Sequence, residues 1–260
     1  MSITVTDMIG QEIFLQRRPE RIVSLVPSQT ELLCDLGLEE QVVGVTKFCI
    51  HPESWFRTKA RVGGTKTVHI DRVQALQPDL IIANKEENVQ EQIEALRAIA
   101  PVWVSDIRSL DHNLEMIRQI GAITGTEHKA QTIVQQLNAD FATLPLPSCI
   151  GKKVAYLIWY NPVMAAGDDT FIHEVLSRIG MVNVLEGQQR YPELTMEALQ
   201  QLQPELLLLS SEPFPFAEKH IKIFQEHLPD TTIMLVDGEL FSWYGSRMLH
   251  AVTYFNKLFI

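Results

Sequence analysis

"QALQPDLIIAN", residues 74–84, and "QQLQPELLLLS", residues 200–210, carry the same instructions twice. Each ends a helix on Leu-Gln-Pro, because proline cannot continue one. Each then gives an acid and a short unbroken apolar run, the pattern of a strand buried on both faces. Both runs finish in an acidic loop that leads into a helix: "KEENVQEQIEALRAI" in one half and "SEPFPFAEKHIKIFQEHL" in the other.

A second echo lies upstream of the first. "RIVSLVPSQTELLCDLGLEEQVVGVT" reads strand, loop, helix, glycine, strand, and "KVAYLIWYNPVMAAGDDTFIHEVLSRIGMVNVL" follows the same order. "ELLCDLG" and "EVLSRIG" share E-x-L-x-x-[L/I]-G, and the glycine suits a left-handed helix end. Two matched elements in one order imply a duplicated α/β unit, with a parallel or mostly parallel sheet flanked by helices in each half.

Between the halves, "TEHKAQTIVQQLNADFATLPLP" places Ala130, Ile133, Val134, Leu137 and Phe141 at helical spacing, with Pro145 and Pro147 ending the run. Thr126 is the expected N-cap. The expected organisation is an N-terminal lobe over 1–125, a connecting helix over 126–144 and a C-terminal lobe over 145–260. Such an arrangement puts a ligand cleft between the lobes, at the open ends of the sheets.

The 260 residues are 46% hydrophobic and 21% charged, ample for a large core or two smaller ones. No window reaches the roughly 18 uninterrupted apolar residues of a membrane span. A net charge of −10 argues against nucleic acid as partner. Cys34, Cys49 and Cys149 have no C-x-x-C spacing, so neither a disulfide framework nor a structural zinc site is expected.

The chain resembles the helical-backbone (class III) substrate-binding proteins of ABC importers, and within them the vitamin B12 (cobalamin)-binding and ferric siderophore-binding branch. The resemblance rests on "DMIGQEIFLQRRPERIVSLVPSQTELLCDLGL", "VVGVTKFCIHP", "LQPDLII" and "LQPELLLL", and it covers essentially the whole chain. It implies two lobes on one long helix, holding a corrinoid, siderophore or haem that passes unchanged to permease subunits. It implies no intrinsic cofactor, no metal held by the protein alone, no direct membrane insertion and a monomer. A periplasmic or membrane-anchored extracytoplasmic location follows if a leader was removed upstream of "MSITVTDMIGQEIF", which lacks a signal layout; otherwise the location is cytoplasmic. A cytosolic chelate carrier without a transporter is the alternative within this reading.

The resemblance further implies an exposed glutamate on each lobe that docks onto permease arginines. Glu86, Glu87 and Glu91 stand in the first echoed loop, and Glu212 and Glu218 in the second. An acidic helix start favoured by the macrodipole gives the same composition.

Four loops are expected to face the ligand. In "VPSQTE", Ser28, Gln29 and Thr30 suit hydrogen bonding to a ligand, while Ser28 and Glu31 also fit an S-x-x-E capping box. "KFCIHPESW" offers Phe48, Cys49, His51 and Trp55, an aromatic surface with two groups able to meet a chelated metal; a buried thiol and a hydrogen-bonded histidine fit as well. "IWYNP" offers Trp159 and Tyr160. "DGELFSWYGSR" offers Phe241, Trp243, Tyr244 and Arg247, the last suited to an anion or to pairing with an acid. Phe214 and Phe216 either rim the cleft or staple their loop to its own lobe. Rigid aromatic rings suit a flat, largely apolar ligand.

An enzyme on an α/β scaffold is the remaining class. "VGGTKT" is no P-loop, and neither G-x-G-x-x-G after a strand nor G-x-S-x-G occurs, so no catalytic residue is assigned. Asp168, Asp169, His173 and Glu174 crowd one short loop and helix start, a grouping that suits a divalent metal or acid–base work, while Asp168 and Asp169 near a helix N-terminus with Thr170 as its cap account for it more simply.

Overall fold

The computed structural model describes residues 2–259. The chain divides into two compact units, each described separately. The first holds the chain up to Ile107, Asp111–Gln136 and a short return segment, Tyr244–Arg247; the second holds Arg108–Leu110, Leu137–Trp243 and the chain from Met248 onward.

The first unit opens with a hairpin of β1 (Ile3–Thr6) and β2 (Glu12–Leu15). Then come β3 (Ile22–Ser24), α1 (Pro27–Asp35), β4 (Val42–Val45), α2 (Glu53–Thr58), β5 (Ala60–Arg61), α3 (Ile70–Ala75), β6 (Leu80–Asn84), α4 (Gln90–Arg97) and β7 (Val102–Ser105). Helices α5 (Leu110–Thr124) and α6 (Glu127–Phe141) follow. The five-stranded sheet has the order β5-β4-β3-β6-β7 and is parallel throughout. Its middle strands are buried on both faces, as the unbroken apolar runs require. One face packs Val23, Ile81, Ala83, Val102 and Val104 against Val73, Ile93 and Leu96 of α3 and α4. Helix α6 starts directly after Thr126, and the chain changes unit inside it, between Gln136 and Leu137.

The second unit runs β8 (Lys153–Trp159), β9 (Val163–Ala165), α7 (Phe171–Ile179), β10 (Val182–Asn183), β11 (Glu193–Leu194), α8 (Met196–Leu202), β12 (Leu206–Ser210), α9 (Glu218–His227), β13 (Thr232–Val236), α10 (Glu239–Ser242) and α11 (Met248–Leu258). Strands β8, β12, β13 and β10 are parallel. Strands β9 and β11 are antiparallel additions at one edge. They arise because Asn161, in the left-handed region at φ 66°, and Pro162 turn the chain back on itself straight after β8. Leu206–Leu209 are each at most 6% exposed, and fully burying a leucine contributes about 1.5–3 kcal/mol.

The duplicated Leu-Gln-Pro signal has a common geometry. Gln77 and Gln203 both take left-handed backbone, at φ 46° and 47°, because the residue before proline is barred from the helical region. The acid after each proline then anchors the start of its sheet. Asp79 accepts the backbone N–H groups of Glu20 and Arg21 at 2.9 and 2.8 Å, just ahead of β3. Glu205 accepts the N–H of Lys153 at 2.9 Å, the first residue of β8. The glycines after α1 and α7 are left-handed as expected, Gly37 at φ 80° and Gly180 at φ 103°.

The capping box expected at Ser28 does not form. Helix α1 begins one residue earlier, at Pro27, with Val26 as N-cap and no side-chain cap. Proline's fixed φ favours the first helical position, which moves Ser28 inside the helix and leaves Glu31 for another partner.

Candidate functional site

In each unit the strands of the parallel set end on loops, where open α/β sheets meet ligands. In the first unit these are the turn into α1, Thr46–Pro52 after β4, and Lys85–Val89 after β6. The return segment Tyr244–Arg247 belongs to the same unit and packs on α1.

The loop after β4 divides its residues sharply. Phe48 and Ile50 are 49% and 43% exposed, and the Lys47 ammonium lies 4.9 Å from the centre of the Phe48 ring. Gly64 makes room for this pair: a Cβ there would come within 3.2 Å of Phe48 Cε2 and 3.4 Å of Lys47 Cε. Cys49 is fully buried, with its Sγ 3.1 Å from the hydroxyls of both Thr30 and Thr46. Burial pushes its thiol up, the reverse of what a metal-binding thiolate needs. Cys49 is therefore a core pin of this loop and is not presented to a ligand. Trp55 is also removed from the expected surface: α2 turns it into the core, where it is 1% exposed. His51 remains half-buried at the loop's end.

The return segment is held by a buried polar network. Gly245 donates its N–H to Asn113 Oδ1 at 2.6 Å, and Asn113 on α5 is fully buried. Gly245 has φ 87°, and a Cβ on it would sit 3.1 Å from the Ser28 carbonyl oxygen, so the chain needs glycine here. Arg247 Nε donates to Glu31 Oε2 at 2.9 Å, with both side chains mostly buried. Burial raises the Glu31 carboxyl despite the pull of Arg247 and of His51. Tyr244 is buried, and burial with Glu87 nearby pushes its phenol well above the usual range, against the hydroxyls of Ser28 and Ser105. Arg247 thus takes the pairing role foreseen as its alternative.

After β6, Asn84 Oδ1 accepts the N–H groups of Glu86 and Glu87 at 2.8 and 3.0 Å, and Asn88 ties the loop to the Thr65 carbonyl at 3.0 Å. Lys66 donates to the Glu86 carbonyl. Glu86 and Glu87 are half-buried at the strand end, whereas Glu91 is exposed in the first turn of α4. Burial first, and the Glu86 charge second, raise the Glu87 carboxyl.

The second unit concentrates its aromatic rings after β8 and β12. Trp159 is 39% exposed and meets Phe214 edge-on, with ring centres 5.7 Å apart. Phe214 lies 4.9 Å from Phe216, which is buried, and 6.0 Å from Tyr160. The "PFPF" stretch therefore staples its loop to its own unit through Phe216, while Phe214 supports Trp159 from behind. His220, from the first turn of α9, fills the centre of this group at 5.2 Å from both Tyr160 and Phe214. Phe241 is a correction: it is fully buried, packed on Tyr156 and Phe255 at 5.2 and 4.9 Å, because α10 turns it inward. Trp243 is half-buried. Glu212 is half-buried and accepts from Ser242 Oγ at 2.7 Å, while Glu218 is exposed at the start of α9.

The acid-rich loop before α7 resolves into structure. Asp168 accepts the Gly187 N–H at 2.6 Å, Asp169 accepts the Arg190 N–H, and the Thr170 hydroxyl caps α7 at the His173 N–H, 3.2 Å away. Among the described residues no cluster of three or more His, Cys, Asp or Glu side chains is placed to hold a metal ion. None of their helices is long and apolar enough to cross a membrane.

Two contributors went unnoticed in the sequence. Asn113 sits among Leu110, Leu114 and Ile117 on the buried stripe of α5, and a lone amide in such a stripe signals a buried partner. His220 stands at the third position of α9, three residues after the N-cap Ala217, which has no side-chain acceptor of its own.

Known proteins share both sequence and architecture with this chain. The sequence profile of the periplasmic binding protein family matches residues 22–233. An uncharacterized ABC transporter substrate-binding lipoprotein, YvrC of Bacillus subtilis, is 29% identical over 79% of this chain and 68% of its own. A vitamin B12-binding protein of Pectobacterium carotovorum is 23% identical over 90% of this chain and 86% of its own. The crystal structure of the periplasmic heme-binding protein HutB of Vibrio cholerae superposes with a TM-score of 0.76 at 27% identity, covering 92% of this chain and 98% of that one.

Proposed function

This chain is a member of the periplasmic binding protein family, and on that premise we propose that it is the substrate-binding component of an ABC importer for a corrinoid or ferric chelate. The observation that carries the reading is an exposed aromatic ring at the strand ends of each unit. Phe48, on the loop after β4 in the first unit, and Trp159, at the end of β8 and backed by Phe214 in the second, are large rings left open to solvent. Exposed rings that have few rotamers to freeze suit a flat chelate with an apolar face. The related proteins named for vitamin B12 and heme support that ligand class.

The chain's own groups bind and orient, and the ligand leaves unchanged. Cys49 and Trp55 fix the loop that carries Phe48; Phe216 fixes the loop that carries Phe214. His51 is the side chain we assign to approach a chelated metal, and Tyr160 and Trp243 border the aromatic surfaces. For docking to a permease we assign Glu91 and Glu218, the exposed acids in the first turns of α4 and α9. Charges of this kind raise the encounter rate and set register more than they add affinity. The location that goes with this role is extracytoplasmic.

The test is affinity for cyanocobalamin or haemin, whichever the protein binds, after Trp159→Ala and Phe48→Ala. A loss of about tenfold or more is expected for Trp159→Ala, in the range for truncating a central aromatic contact. Unchanged affinity in both variants contradicts the assignment.

A further inference from the structure

We propose that His220 is the positioning residue for the Trp159–Phe214 surface, through the hydrogen bond that its Nδ1 accepts and the rings packed on it; this rests on the functional reading above. Helix α9 begins at an N-cap, Ala217, in extended backbone, whose methyl side chain offers the helix no acceptor. His220 supplies the missing half from the third helical position: its Nδ1 accepts the Ala217 N–H at 2.9 Å. Glutamate or glutamine fills this position in an ordinary capping box. An imidazole that accepts at Nδ1 carries its proton on Nε2.

The same ring is 3% exposed and carries the aromatic group. Its centre lies 5.2 Å from Tyr160, 5.2 Å from Phe214 and 5.4 Å from Phe216. Within the loop it supports, the Phe216 N–H reaches the Phe214 carbonyl at 2.9 Å, and the N–H groups of Phe214 and Phe216 reach the carbonyls of Ile158 and Ser210 at 3.3 and 3.4 Å. The imidazole is thus the junction between the helix start and the rings that back Trp159.

The experiment separates acceptor from ring. His220→Gln keeps an acceptor and loses the ring; His220→Phe keeps the packing and loses the acceptor. Trp159 fluorescence, isolated by subtracting a Trp159→Phe background, is compared among the native protein and the two variants, with thermal unfolding to confirm that each is folded. His220→Gln should keep the native Trp159 signal, and His220→Phe should shift it. An unshifted Trp159 signal in folded His220→Phe overturns the proposal.

Titration with cyanocobalamin or haemin near neutral pH adds a functional readout. His220→Phe is expected to weaken binding about five- to tenfold, the equivalent of one lost cap, and His220→Gln to remain within about twofold. If Trp159→Ala weakens binding and His220→Phe does not, the inference about His220 fails alone. If neither matters, the functional reading fails with it.

Discussion

Glu31 and Arg247 are 216 residues apart in sequence and joined by a 2.9 Å hydrogen bond within the first unit. Burial outweighs the arginine's pull on the carboxylate, so the pair is held at a desolvation cost. Removing one partner strands the other. We expect Glu31→Gln or Arg247→Met alone to lose about 2–4 kcal/mol, and the double variant to recover to within about 1 kcal/mol of the native protein. Urea unfolding of the four proteins reads this directly, and additive losses would show that the two do not act as a pair.

The acids after each Leu-Gln-Pro serve their sheets in the same way, with different numbers of bonds. Asp79 holds two N–H groups and Glu205 holds one. Asp79→Ala is expected to cost about 1–3 kcal/mol and Glu205→Ala about 0.5–1.5 kcal/mol. Equal, negligible losses in denaturant unfolding would remove this account of the repeated motif.

Glu87 gives the stability a pH signature. Its carboxyl is raised above the ordinary 4.5 by burial and by Glu86. The folded state therefore keeps this proton to higher pH than the unfolded state does. Its contribution is present below the unfolded value and is lost as pH rises through the folded value. Glu87→Gln does not titrate. Relative to the native protein, it should gain stability as pH rises through and above the carboxylate range, seen by comparing denaturation midpoints at acid and neutral pH. A constant difference would contradict the assigned burial.

Much of the fold was legible because it depends on local rules. The two apolar runs before Asn84 and Ser210 had nowhere to go but a sheet interior, and Pro78 and Pro204 dictated where the preceding helices stop. The β9–β11 edge was not legible: it turns on Asn161 adopting a left-handed backbone, a choice decided by neighbours. The site was read less well for the same reason. Phe48, Cys49, His51 and Trp55 are close in sequence, yet only the folded loop sorts Phe48 outward and Cys49 and Trp55 inward. Phe241 looked equivalent to Trp243, but Phe241 lies within α10 and turns into the core, while Trp243, two residues on and just past the helix end, is half-buried. Residue type announced aromatic surface; tertiary packing decided which rings were free.

The central claim is that this chain captures a flat metal chelate and releases it unchanged. Isothermal titration of the purified protein with cyanocobalamin, then haemin, then a ferric hydroxamate, tests it most directly. The account predicts saturable one-to-one binding to a member of this panel, with the chelate recovered intact. Absence of saturable binding across the panel, or conversion of a bound chelate to product, would contradict it.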